Sequence, residues 1–225
     1  MTKPDSRPPD SHAMKRPQRR GEERAQAQLE AAAALFVEKG FDATSLNDII
    51  GRAGGSRTTL YTRFGDKDGL FRALMKEHCN RIQEEMVRIL EESTGLSRLS
   101  LADGLVRIGL HIIRTLADPK TIAIVHTLVS EGRRIPDIAG EFQAMGQERG
   151  IQRIADYLRA AATDDGRRIG DADADAMAEV FFSMILGSRI LRQLTMPGYR
   201  VDMDAAEEYV RRCVRVFLGG CFEEG

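Results

Sequence analysis

Tryptophan is missing from this 225-residue chain, and aromatic residues make up only 6% of it. Its three cysteines, Cys79, Cys213 and Cys221, form no CxxC pair and leave an odd thiol. That excludes a disulfide framework and predicts reduced, buried thiols. His78 beside Cys79 is not at ligand spacing on a helix, and His111 and His126 are isolated, so no metal site is expected. No apolar run approaches the roughly 20 residues of a membrane span. The N-terminus lacks the apolar core of a secretory signal. A cytoplasmic protein without membrane contact is expected. Nucleophile-elbow, phosphate-loop and HExxH motifs are absent, which argues against an enzyme and leaves no cofactor to expect. The run through Asp171, Asp173 and Asp175 lacks the glycine and terminal acid of a calcium loop. It reads as a helix start, where anions are favoured.

What is present is ordinary for a globular protein: 42% hydrophobic and 30% charged residues, with net charge −1. The charge is unevenly spread. Residues 1–65 carry eleven Lys/Arg against eight Asp/Glu, a net +3 that leaves −4 on the remainder. A basic end on an acidic body points to a polyanionic partner. Four of the seven prolines fall in residues 1–20, which read as a disordered tail. Met14 offers an alternative start, which would place residues 1–13 outside the native protein. No alternating strand pattern and no internal repeat occurs, so the expected class is all-α.

From Glu22 the chain reads as helix, with Leu29, Ala33, Phe36 and Val37 on one face and Gly40 as its stop. Ser45 suits the N-cap of a short helix through Leu46, Ile49, Ile50 and Ala53, with Asp48 completing a capping box. Gly54-Gly55 then turns the chain, Ser56 caps again, and Leu60 and Phe64 share one face of two turns ending at Gly65. Asp66 caps a long helix carrying Leu70, Phe71, Leu74, Met75, His78, Ile82, Met86 and Leu90. Helix, glycine turn and short polar-cationic helix is the layout of a helix-turn-helix. Its outward stripe holds no acid between Ser56 and Gly65. Threonine and tyrosine hydroxyls and arginine are groups that bond phosphates and base edges.

Further helices are expected over Leu96–Leu116, from Pro119 through Val129, and from Pro136 through Leu158, with a loop at 166–170. The last two, Asp173–Leu194 and Asp204–Gly220, are apolar around much of their circumference, so each needs two partners. One is the core. The other is expected to be the same pair from a second chain, a four-helix interface through Phe181, Met184, Ser188, Leu191, Val210, Val214 and Phe217.

The run FDATSLNDIIGRAGGSRTTLYTRFGDKDGLF resembles the DNA-binding signature of the tetracycline-repressor (TetR) family of bacterial regulators, over about residues 25–75. Gly40-Phe41, Thr44-Ser45-Leu46, Ile49, Ala53-Gly54, Ser56, Thr59-Leu60-Tyr61, Phe64, Lys67 and Leu70 carry the match. The run SEGRRIPDIAGEFQAMG resembles the ligand domain of AefR-like members. The resemblance implies an all-helical homodimer. After a tail at 1–20, residues 21–66 would form the DNA-binding domain and 67–225 a ligand-binding and dimerisation domain. Arg57, Thr58 and Thr62 would face base edges of a palindromic operator. Thr44, Thr59, Tyr61, Arg63 and Lys67 would bind phosphate, and Ser45 would stand among the DNA-facing residues. Four positions depart from the family pattern: Gly55 for valine, Thr58 for glycine, Arg63 for histidine and Gly69 for glutamate.

A repressor released by a small apolar or aromatic effector is the expected function. Met86, His111, Phe142, Met145 and Phe182 would line the pocket, with His126 as a polar handle. The alternative is a helical ligand-binding or protein-interaction module without DNA binding.

Overall fold

The computed structural model describes residues 16–94, 99–164, 171–196 and 198–221. All regular structure among them is helical: α1 (Arg16–Lys39), α2 (Leu46–Ala53), α3 (Arg57–Phe64), α4 (Lys67–Thr94), α5 (Leu101–Ala117), α6 (Pro119–Glu131), α7 (Pro136–Phe142), a π-helical stretch Gln143–Glu148, α8 (Arg149–Asp164), α9 (Asp171–Leu186), α10 (Arg189–Thr195) and α11 (Met203–Cys221). The chain divides into two compact units, Met1–Ala73 and Leu74–Gly225. The division falls inside α4.

In the first unit, α1 begins at Arg16, six residues ahead of Glu22, so 16–20 are helix and not tail. Pro17 is no obstacle, because a first turn leaves its N–H groups unbonded in any case. Gly40 ends α1 at φ 82°, and Phe41 folds back on Phe36 with ring centroids 5.2 Å apart. Phe71 closes the cluster, 6.1 Å from Phe36 and 5.3 Å from Phe41. Ile49, Leu60 and Leu70 are fully buried in the same unit. On its surface Lys39 pairs with Asp48 at 2.8 Å, and Arg52 pairs with Glu38 through two bonds of 2.8 Å. Those cations hold both carboxyls below the usual carboxylate range.

The second unit buries Leu105, Ile108 and Ile113 of α5 with Ile154 and Leu158 of α8, Phe181 and Ile185 of α9, and Val210, Val214 and Phe217 of α11. Two helices read as continuous are interrupted. The span from Pro136 to Leu158 widens into the π-helical stretch, where the Gln83 side-chain amide of α4 donates to the Gly146 carbonyl at 3.0 Å. The span Asp173–Leu194 breaks at Gly187, φ 49°. There the Tyr209 hydroxyl of α11 donates to the Met184 carbonyl, and Arg189 stacks 3.7 Å from the Tyr209 ring centroid. Hydropathy periodicity registers neither interruption. The expected loop at 166–170 lies outside the described residues. Cys79 and Cys213 are buried free thiols, and burial pushes the Cys79 thiol up to about 11.

His78 has a defined tautomer. Arg81 Nη2 donates to its Nδ1 at 2.9 Å, so the ring proton sits on Nε2 and is donated to Thr121 Oγ1 at 2.7 Å. Burial first, then the neighbouring Arg81 and Lys120 charges, outweigh Asp118 and Glu85 and lower its pKa to about 4. The unfolded chain binds this proton near pH 6.5. Between about pH 6.5 and 4 the unfolded state therefore holds more protons, and stability falls as pH falls. Urea midpoints measured at pH 7.5, 6 and 5 should decrease in that order, with a shallower decrease in His78→Gln.

Candidate nucleic-acid interface

The turn between α2 and α3 is built from backbone that only glycine adopts readily: Gly54 at φ 74° and Gly55 at φ 105°. A Cβ on Gly55 would stand 3.1 Å from Nε2 of the fully buried Gln28. The Gln28 side chain of α1 thus occupies the space beside Gly55 into which a β-carbon would project. Ser45 caps α2: its Oγ accepts from Asp48 N at 3.2 Å, and its own N–H donates to Asp48 Oδ2 at 2.8 Å. Ser56 caps α3, its Oγ accepting from Thr59 N at 3.1 Å.

Helix α3 buries Leu60 and half-buries Phe64. At its end the chain needs Gly69, whose Cβ would lie 1.9 Å from the Phe64 carbonyl oxygen. The other side of α3 exposes Arg57, Thr58, Thr59, Tyr61, Thr62 and Arg63, with Tyr61 52% exposed. Arg57 Nε donates to Asn47 Oδ1 of α2 at 2.7 Å. Thr59 Oγ1 shares a 2.9 Å hydrogen bond with Ser56 Oγ. Arg63 donates to the Gly21 carbonyl at 3.0 Å. Cationic and hydroxyl groups are thereby grouped on the exposed side of α3, a helix that carries no acid.

Three expected DNA ligands have structural employment. Thr44 is only 1% exposed, and its hydroxyl donates to the Gly40 carbonyl at 2.7 Å. It has no surface from which to meet phosphate, which corrects the expectation for this side chain. Ser45 is exposed but engaged in its cap. Lys67 donates to the Phe41 and Asp42 carbonyls at 3.0 and 3.3 Å and lies 4.2 Å from the Phe41 ring centroid. It clamps the turn between α1 and α2.

The expected pocket residues stand in different environments among the described residues. Met86 belongs to the core, Phe142, Met145 and Phe182 are half-buried, and His126 is exposed on α6. His111 lines a cleft of the second unit. That cleft, about 570 Å³, is walled by Arg81, Ile82, Glu85, Ile89, His111 and Thr121 among others. It is mixed in polarity where an apolar lining was expected. His111 Nε2–H donates to the Ile82 carbonyl at 3.1 Å, so its Nδ1 lone pair is left facing Glu85 Oε2 at 3.8 Å. Burial lowers the His111 pKa from its ordinary value, against the opposing pull of the Glu85 carboxylate; with the ring neutral, Nδ1 and the carboxylate are two acceptors side by side.

Residues 29–74 match the bacterial regulatory proteins of the tetR family, and residues 103–220 match the AefR-like transcriptional repressor C-terminal domain. The chain belongs to the TetR family. It is 29% identical over 192 residues to YvkB of Bacillus subtilis, an uncharacterised helix-turn-helix-type transcriptional regulator, covering 85% of this chain and 94% of that one. A TetR-family regulator from Mesorhizobium loti shares the fold at TM-score 0.79 and 22% identity, over 89% of this chain and 98% of that one. The flavonoid-responsive regulator FrrA matches at TM-score 0.67 and 28% identity, over 90% and 98%. The protein is thus a TetR-family transcriptional regulator with a DNA-binding helix-turn-helix and a ligand-binding C-terminal domain.

In this TetR-family chain, four expected interface residues lie inside their own unit. Phe181, Val210, Val214 and Phe217 are 3% exposed or less, with the two rings 5.2 Å apart. They have no surface left for a second chain. The outward positions of the same helices are Val180 and Val216, 52% and 62% exposed, with Met184 half-buried. Ser188 is exposed, and Leu191 is 61% exposed on α10. Asn47 escaped the sequence reading, since a short polar residue on α2 has no distinguishing signal until Arg57 is seen bonded to it.

Thr44→Val keeps the shape and removes the buried hydroxyl. It should lower stability by about 1–3 kcal/mol in chemical denaturation, while operator affinity of the folded protein stays unchanged. A phosphate ligand would show the reverse.

Proposed function

We propose that this TetR-family regulator represses transcription as a homodimer, each subunit placing α3 in the major groove of one half of a palindromic operator. The observation that carries this reading is the two-sided character of α3: Leu60 fully buried, and Arg57, Thr58, Tyr61 and Thr62 exposed on a stripe without acids. Arg57, Thr58 and Thr62 read base edges, and Tyr61, Thr59 and Arg63 bind phosphate. Residues 21–66 serve DNA and 67–225 serve ligand and dimer. Two such helices reach successive grooves when they stand about 34–36 Å apart.

The effector we infer is an aromatic molecule bearing hydroxyl groups. The facing acceptors of His111 and Glu85 suit hydroxyl donors, and Ile82 and Ile89 of the same cleft suit a ring. The responsiveness of FrrA to flavonoids, which are hydroxylated aromatics, supports the same chemistry. Effector binding that favours a different dimer spacing would weaken operator affinity by about 5- to 150-fold. The dimer face we infer is the outward side of α9 and α11, through Val180, Met184 and Val216.

Selection of bound sequences from random duplexes, followed by gel shift, tests the DNA reading. Arg57→Ala should cost about 1–3 kcal/mol and relax one base position, and Tyr61→Phe should weaken binding across sequences. Wild-type behaviour of both variants on the selected operator would remove α3 from the interface. For the dimer, Val180→Asp with Val216→Asp should shift the protein to monomer in sedimentation experiments and lower operator affinity. A dimer that survives both substitutions lies elsewhere on the surface.

A further inference from the structure

Arg57 is the first residue of α3, the end of a reading helix from which base edges are met. A free arginine there is a poor reader: its long side chain has many rotamers, and phosphates compete for its charge. In this protein Nε is already taken, donating to Asn47 Oδ1 at 2.7 Å. Arginine nitrogens only donate, so the Asn47 atom facing it is the oxygen, and Nδ2 points away with its hydrogens available. The guanidinium keeps the parallel N–H pair of Nη1 and Nη2 at its tip. That fork matches O6 and N7 of guanine.

The choice of partner matters. Nearby cations Arg52 and Lys39 are paired with the carboxylates of Glu38 and Asp48. Arg57 is instead held by a neutral amide, which fixes the side chain without cancelling its charge. An aspartate at 47 would hold Nε as well but would face DNA phosphates with a negative charge.

We propose that Asn47 is a positioning residue that determines specificity, holding Arg57 end-on for a guanine at one base pair of each half-site. This rests on the reading of α3 as the DNA-reading helix. The test uses the full chain and its selected operator. Dissociation constants are measured by fluorescence anisotropy for wild type, Asn47→Ala, Asn47→Asp, Arg57→Ala and the Asn47→Ala/Arg57→Ala double variant. Each is assayed on the operator and on versions with single base pairs exchanged.

Wild type should prefer guanine at one position by about 5- to 150-fold. Asn47→Ala should lose about 2- to 10-fold in affinity and most of the preference at that position, with preferences elsewhere intact. Asn47→Asp should retain the preference while binding every sequence more weakly. Asn47→Ala should add nothing in the Arg57→Ala background. All variants should unfold at the wild-type temperature, since both side chains are exposed. Multiplicative losses in the double variant, or an intact guanine preference in Asn47→Ala, would overturn the proposal and leave the DNA reading standing. A wild-type chain that selects no duplex at low salt overturns the DNA reading, and this inference falls with it.

Discussion

A helix of eight residues does not hold together in water by itself, so α3 exists only because Leu60 is inside. The Phe36, Phe41 and Phe71 rings join α1, the turn after it and the start of α4 into one apolar block. Each such ring pair contributes about 0.5–1.5 kcal/mol beyond its buried area. Burying a leucine side chain contributes about 1.5–3 kcal/mol more. The glycine turn and the close approach of Phe64 to Gly69 set how α3 meets that block. Once one stripe is anchored, the backbone positions of the opposite stripe are fixed.

The polar groups around α3 divide into two kinds, and hydrogen-bond accounting separates them. Thr44 and Ser45 have satisfied donors within the fold, and Lys67 is bonded to two backbone carbonyls and lies over a ring. They hold the frame. Arg57 and Arg63 keep unused donors after their internal bonds, because a guanidinium has five. Thr58 and Thr62 make no side-chain hydrogen bond among the described residues. A signature shared across a family mixes both kinds, since frame and reading groups are equally necessary. Sequence alone does not sort them.

What the sequence showed best was local. The capping box at Ser45 and Asp48, the cap at Ser56, the stops at Gly40 and Gly65, and the inward set of α4 all follow from short-range rules, and the structure carries each. What it showed poorly was anything decided across the fold. The apolar circumference of the last two helices was visible, but not that Phe181, Val210, Val214 and Phe217 take the inward side. A shift of one residue exchanges core for surface, and a helix apolar on two sides has no polar stripe to fix its rotation. The Tyr209 contacts beside the Gly187 break come from α11, and the mixed lining of the α4–α6 cleft depends on three helices meeting. The bond from Asn47 to Arg57 spans ten residues and two helices. No periodicity encodes it.

Helix α4 bears on how such a regulator responds to a ligand. Leu70 and Phe71, in its second turn, are core residues of the first unit. Ile82, Glu85 and Ile89, further along, wall the cleft of the second. A ligand changes the balance between two states only by its difference in affinity for them. Within the second unit, groups carried on α4 or bonded to it can supply such a difference. His111 and Glu85 meet this condition, because the imidazole is tied to the Ile82 carbonyl of α4 and the carboxylate is carried on α4 itself. In the effector reading proposed above, a ligand hydroxyl bridging them engages two groups tied to this helix. A ligand held by the α5, α8, α9 and α11 core alone would not.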